Sequence, residues 1–553
     1  MKKWIQLIII LLLLLPTAVF AQGEEETPTP TPSPTADWRF GIIETYDSPV
    51  AATEARAAWT RVRFQWADVQ AAGADSWEPP LSDSKIEREL ADGRELVGLL
   101  IGIPEWARDE NDLPSGLYLP PDDPDNLWAG FVREAVTRYD GRINHWIIWN
   151  EPDIWDKNTP GHTWDGTVED FAQLQKVSYI VAKTANSEAV VHLPAFTYFW
   201  DAQYEREQYF GRLLDAIQQD PEAAAYNHYF DVATAHLYFQ PDVIYTVLDL
   251  FRELMNSRGI DKPIWLVETN APPHNDPTWE VDDWTFLVSQ TEQAAFIPQV
   301  MAVALAAGVE RIAIFKMQDV EGDRAANPEP FGLLRLDGRR RPAYNTYKVI
   351  TRYFAGTQSA ERVQWDAVGM IRLDQIDQTT TVLFARLPSP QMVQVPATAE
   401  GAILVDMLGN RRRVEPNEDG VFVIELPGAL CQQTAGDYCM IGGQPFYLIQ
   451  AAETELATAT PPFSQLPTVT PTPSVTPTPT NTATPMPTAT LLPTSTLTPT
   501  PAPPTATPAA PTNTPVPTSS NAPAATSMSL YFVVGGGIVL VVLAGWGVIR
   551  RRS

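Results

Sequence analysis

Cysteine is nearly absent: the 553 residues include two, Cys431 and Cys439. That is too few for a cytosolic zinc or redox site, but enough for one small disulfide in an oxidising compartment. Histidine is also scarce, six residues without metal-ligand spacing, so no metal and no cofactor are implied. Positive charge is short as well, with 39 Lys and Arg against 67 Asp and Glu, a net charge of −28. A field of that sign repels phosphates and argues against nucleic acid as a partner. It disfavours strongly anionic polysaccharides for the same reason. No glycine-rich phosphate loop follows the first strand-like run, which weighs against the competing reading of a doubly wound open sheet.

Proline is plentiful but uneven. Thr27 to Thr35 is a short Thr-Pro repeat, and the same composition returns from about Thr458 to Pro523. Such stretches hold too little apolar surface to fold and read as extended spacers with candidate O-glycosylation. The ends carry address signals. Met1-Lys2-Lys3, an apolar run to Leu15 and the small-residue stretch ending at Ala21 form a secretory signal pattern over residues 1–21. Leu530 to Ile549 has about the ~20 residues that cross a bilayer as a helix, and Arg550-Arg551-Arg552 follows on the expected cytoplasmic side. The expected order is a signal peptide (1–21), a Thr/Pro-rich linker (22–36), a folded body, a stalk (453–528), a transmembrane helix (529–549) and a cytoplasmic tail (550–553). This places the protein at the cell surface, held to the membrane by its C-terminal helix.

Within the body, strand-like runs alternate with helical patterns. The runs lie near Phe40–Glu44, Thr60–Gln65, Leu96–Ile103, Ile143–Trp149, Val190–Pro194, Val232–Leu237, Ile264–Glu268 and Ile312–Met317. Eight βα units in roughly 320 residues fit an α/β chain folded as a (β/α)8 TIM barrel over residues 37–355. Past Phe354 the helical patterns stop. Short runs such as Val382–Leu387 and Val421–Leu426, split by turn signals, read as a small antiparallel β-sandwich over residues 356–452. Cys431 and Cys439 share its last loop, where a bridge closes a short hairpin.

One stretch organises the rest. Ile143 to Trp149 is a β-branched and aromatic run that ends abruptly at Asn150-Glu151-Pro152. Proline cannot donate to a sheet ladder and biases Glu151 toward an extended conformation. A carboxylate is thereby expected at the C-terminal mouth of a buried strand, where parallel barrels carry their chemistry. A second run, Ile264 to Val267, ends in Glu268, three strands further on and nearly opposite across the mouth. Paired carboxylates in that position suit glycoside hydrolysis. Either Glu alone is a common way to end a strand; the pair is not.

The motifs Trp149-Asn-Glu-Pro-Asp153 and Trp265-Leu-Val-Glu-Thr-Asn270 resemble those of the clan A glycoside hydrolases, families 39 and 5 above all. The resemblance covers about Trp38 to Tyr353. It implies a retaining glycosidase with Glu151 as acid/base and Glu268 as nucleophile, the latter kept ionised by donors such as Arg63 and Tyr238. It further implies that Asn150 binds the sugar 2-hydroxyl. His236 and Tyr238 share one strand face, as do Arg61 and Arg63, of which a single one reaches the mouth. Trp66, Trp106, Trp155 and Trp164 are candidate sugar platforms, one or two of them facing substrate and the others core. The chain departs from the family where the eighth strand usually ends in tryptophan. It has Ile314-Phe-Lys-Met-Gln-Asp319 there, which brings in Lys316 or Gln318 as sugar-recognising candidates. The expected substrate is an extracellular poly- or oligosaccharide; the competing reading is a non-catalytic carbohydrate-binding or adhesion protein on a degenerate barrel.

Overall fold

The computed structural model describes residues 36–451, apart from 160, 282, 283 and 327, and the backbone of 528–534 and 537–543. The signal segment, the Thr/Pro-rich linker and stalk, and the basic tail lie outside the described residues.

Eight parallel strands close into a barrel. They are β1 (Phe40–Ile42), β2 (Trp59–Gln65), β3 (Glu95–Ile101), β4 (Ile143–Ile148), β5 (Val190–Phe196), β6 (Val232–His236), β7 (Ile264–Thr269) and β8 (Arg311–Ile314). Closure runs through β1 pairing with β8, Phe40 opposite Ile312. Each strand is followed by a helix, among them Leu127–Arg138, Val168–Ala185, Pro241–Asn256 and Gln290–Ala306. Two of these start on full capping boxes, Thr167 with Asp170 and Ser289 with Glu292. Each box satisfies the free N–H groups of a first turn where the chain leaves a loop. Strands such as β7 are buried along their whole length, because helices cover the outer face and side chains fill the inside.

The C-terminal part is antiparallel, as its alternating pattern predicts. Strands β9 (Ser359–Trp365), β10 (Val368–Asp374), β11 (Gln378–Ala385), β13 (Ala402–Asp406), β14 (Arg411–Val414) and β18 (Phe446–Ala451) form one six-stranded sheet. A ribbon of β12 (Gln391–Pro396) and β15 (Val421–Leu426) covers one face. The period of two divides the sheet's side chains. Leu383, Leu404 and Leu448 turn toward the ribbon, while Val382, Phe384, Tyr447 and Ile449 join the core of the barrel. The two parts therefore share one apolar seam. Between β15 and β18, β16 (Thr434–Ala435) and β17 (Tyr438–Cys439) make a small hairpin. The expected Cys431–Cys439 bridge is formed there.

The expected C-terminal transmembrane helix is not the conformation found. Met528–Val534 pairs antiparallel with Gly537–Leu543, and among the described residues no helix is long and apolar enough to cross a membrane. The stretch is rich in Val, Ile, Phe and Tyr, which favour strands, and Gly535-Gly536-Gly537 interrupts it.

Candidate active site

The site is built at the C-terminal ends of β2, β4, β6 and β7. After β4 the backbone turns sharply. Trp149 and Glu151 both take left-handed conformations, φ 73° and 48°, which side-chain-bearing residues adopt at a cost of about 1–3 kcal/mol each. The extended conformation that Pro152 favours at Glu151 is thus overridden. Several hydrogen bonds hold the turn: Glu151 N–H donates to the Ala195 carbonyl at 3.1 Å, and the Thr163 hydroxyl donates to the Asn150 carbonyl at 2.6 Å. Asp153 anchors the far side, accepting from Thr197 N–H at 2.7 Å, the Thr197 hydroxyl at 2.9 Å and Tyr198 N–H at 3.1 Å. The strained turn aims the Glu151 side chain at the barrel axis.

There it meets His236, whose Nδ1 lies 2.5 Å from Glu151 Oε1. His236 ends β6 and stands in register with Glu268 on β7; its Nε2 is 3.5 Å from Glu268 Oε1. Arg61 pairs with the same Glu268 oxygen and approaches His236 Nε2 at 3.4 Å. The Tyr238 hydroxyl donates to Glu268 Oε2 at 2.5 Å. His236 thus bridges the pair, with Nδ1 toward Glu151 and Nε2 toward Arg61 and Glu268. Arg61, His236 and Glu268 are all buried.

Burial pushes the Glu268 carboxyl up, but the Arg61 charge, His236 and the Tyr238 hydrogen bond outweigh it and hold Glu268 below the usual range. It is therefore an ionised carboxylate in a dry place. Tyr238 moves the opposite way, pushed well up by burial and then by the charges of Glu268 and Glu151, so it stays a donor. Behind the pair, burial pushes Asp153 up to about 7 against its Thr197 hydrogen bonds, with the Glu151 charge adding to the rise.

One ligand atom each from Glu151, His236 and Glu268 lie within 4.8 Å of one another. By donor set the trio suits a divalent cation. The space does not: the Arg61 guanidinium already sits against Glu268 and faces His236 Nε2, where a second positive charge would be repelled. The same spacing puts one oxygen of Glu151 within 4.8 Å of one oxygen of Glu268.

The other expected residues divide. The structure brings Glu151, Glu268, His236 and Tyr238 together, with Asn150 on the same turn. Arg63 is not the Glu268 partner; it is exposed and bonded to Gln65, and Arg61, one layer deeper on the same face, takes the role. Lys316 is not free for a sugar, because its ammonium is buried between Glu44 at 2.5 Å and Asp323 at 3.0 Å. Gln318 is tied to Ser48 and the Leu336 carbonyl. Trp106 packs edge-on against Trp66 and donates to the Gln70 carbonyl. Trp66 and Trp164 are core. Trp155 packs on Tyr204 under Arg206, in a separate depression with Trp164. The aromatic surface near the pair comes instead from Phe331, which packs on both Tyr238 and Phe315. Phe315 was legible as the aromatic of the departing eighth-strand motif; Asp153 was legible only as the last letter of Asn-Glu-Pro-Asp.

No protein-family model matches the chain, and no curated protein matches it in sequence. Solved structures do. A family 39 glycoside hydrolase from the gut symbiont Bacteroides cellulosilyticus WH2 superposes with a TM-score of 0.56 at 15% identity, over 75% of this chain and 81% of that one. A glucosidase from Croceicoccus marinus gives 0.50 at 11% identity, over 75% and 96%. At such identities the likeness is one of fold, a barrel of the kind found in glycoside hydrolases.

Proposed function

We propose that the protein is a retaining glycosidase acting on extracellular glycosides. The observation that carries this reading is the approach of Glu151 and Glu268 across the barrel mouth, joined through His236. Glu268, ionised and oriented by Arg61 and Tyr238, attacks the anomeric carbon as the glycosidic bond breaks. Glu151 gives its proton to the departing oxygen. Water then enters, Glu151 takes a proton from it, and the resulting hydroxide displaces Glu268 with net retention. Among the described residues the Asn150 side chain has no hydrogen-bond partner, which leaves it available to the sugar 2-hydroxyl. The fold likeness supports the same reading.

We also assign the protein to the cell surface. The support is the signal pattern of residues 1–21, the Thr/Pro-rich spacer, the apolar run ahead of Arg550–Arg552, and a disulfide suited to an oxidising compartment.

A panel of aryl glycosides tests the enzyme reading, with Glu151→Gln and Glu268→Gln as controls and the product anomer followed by NMR. Turnover with retention, lowered by at least three orders of magnitude in both variants, is expected. Sugar binding without turnover would leave a lectin on a degenerate barrel, which the missing eighth-strand tryptophan favours.

A further inference from the structure

A cavity of about 410 Å³ opens directly off the candidate site, and Glu151, His236 and Tyr238 form its inner end. Glu268 is not among its lining residues. In double displacement the nucleophile faces the sugar ring, while the acid/base faces the bond to the leaving group. A space that adjoins Glu151 but not Glu268 is therefore on the leaving-group side.

Its walls offer little to meet the hydroxyls of a second sugar, since most of the lining surface is apolar. Tyr198, Phe239, Val243, Val247, Phe286 and Met440 are among the residues that line it, and the Phe239 and Phe286 rings pack at 4.8 Å. The charged groups present spend their charge on each other: Arg386 bonds Asp242 at 2.9 Å, and Asp242 also accepts from the Trp365 indole at 2.6 Å. The lining also carries polar side chains, among them Gln203 and Gln240. Gln240 is buried, and among the described residues its side-chain carbonyl oxygen has no hydrogen-bond partner. An unpaired buried acceptor costs stability until a donor reaches it. The outer wall comes from the antiparallel part of the chain, where Tyr438, Cys439 and Met440 of the disulfide-closed hairpin face the barrel.

We propose that this cavity is the aglycone subsite, and that the substrates are glycosides of an apolar alkyl or aryl alcohol rather than of a further sugar. The assignment rests on the glycosidase reading. It replaces the poly- or oligosaccharide expectation with a substrate class: an apolar aglycone, to which Gln240 offers a hydrogen-bond acceptor.

The test uses the full-length chain and β-glycosides of glucose, xylose, galactose and mannose. For each sugar the set comprises the glycosyl fluoride, the methyl to hexyl glycosides, the phenyl glycoside and a disaccharide. The fluoride has almost no aglycone and reports on the catalytic pair alone. For a sugar whose fluoride is turned over, kcat/KM is expected to rise roughly fourfold per added methylene until the cavity is full, with the hexyl glycoside ahead of the disaccharide. Val243→Trp, which fills the cavity from the Pro241–Asn256 helix, should lower the hexyl-to-methyl ratio at least tenfold; losses through poor folding cancel in that ratio. A flat series, or preference for the disaccharide, while the fluoride is hydrolysed would overturn the aglycone assignment and leave the glycosidase intact. Failure on every fluoride would overturn both.

Discussion

Replacing Asp153 by Asn probes the support behind the catalytic turn. Asp153 is buried, and one carboxyl oxygen accepts three hydrogen bonds from Thr197 and Tyr198. The other oxygen has no partner among the described residues. Burial raises its pKa from 3.8 to about 7, although the Thr197 bonds oppose the rise. In the unfolded chain the group titrates near 3.8, so a protonated Asp153 is bound more tightly by the fold than by the coil. The stability it contributes is complete below pH 4 and is lost as pH climbs toward 7, at about 1.4 kcal/mol per unit. Over that window the loss amounts to ~4 kcal/mol. An asparagine keeps the acceptor for Thr197 and Tyr198 and puts an amide where the orphaned oxygen was, without a charge to bury. Chemical denaturation of wild type and Asp153→Asn from pH 4 to pH 8 measures the difference directly. The variant should gain on the wild type steadily with pH, by a few kcal/mol at pH 8. A difference that does not change between pH 4 and pH 8 would refute the reasoning, because then Asp153 would be charged, or uncharged, in both states throughout.

Removing the Tyr238 hydroxyl with Tyr238→Phe takes away one of the groups that keep Glu268 ionised. The acid limb of the kcat/KM profile should move to higher pH, and kcat should fall roughly 10–100-fold, the worth of a hydrogen bond to a charged group; an unmoved limb would show that Arg61 and His236 suffice. Arg61→Met should shift the same limb further in the same direction, while Arg63→Met leaves it in place, since only Arg61 touches Glu268. Lys316→Met strands Glu44 and Asp323, so it should lower stability by about 1–3 kcal/mol, read as a lower melting temperature, without weakening sugar affinity, and a selective rise in KM would restore Lys316 as a recognition residue. The paired change Cys431→Ser and Cys439→Ser opens a loop of sequence separation 8 and should cost about 2.5 kcal/mol on the chain-entropy account, read by denaturation under non-reducing conditions.

The position of the two glutamates was legible because a strand buried on both faces leaves few places for a carboxylate. In Trp146–Ile148 and Ile264–Val267 the buried apolar run leaves little room for a charge, which places Glu151 and Glu268 beyond it at the mouth. Spacing along a strand tells which face a residue takes and not how deep its layer lies. For that reason Arg61 and Arg63 could not be separated until the β2–β3 register placed Arg61 opposite Val97 and Arg63 opposite Leu99. Lys316 shows another limit. A lone cation at a strand end looks free in sequence, but its partners Glu44 and Asp323 come from the loops after β1 and β8. The apolar terminal stretch was ambiguous for a physical reason, since runs of Val, Ile and Phe satisfy the hydropathy of a membrane helix and the propensity of a strand alike.

The aglycone cavity is the clearest case of information the local pattern cannot hold. Phe239 follows β6, Phe286 lies in the loop before the Gln290–Ala306 helix, and Met440 follows a hairpin in the antiparallel part. Each reads in sequence as an ordinary core residue. They meet only because the six-stranded sheet lays Val382, Phe384 and Tyr447 against the barrel, which swings the Cys431–Cys439 hairpin over the mouth. If that docking sets the leaving-group side, the barrel supplies the reaction and the antiparallel part supplies the choice of substrate. Loosening the hairpin should then relax aglycone preference before it affects turnover of a glycosyl fluoride.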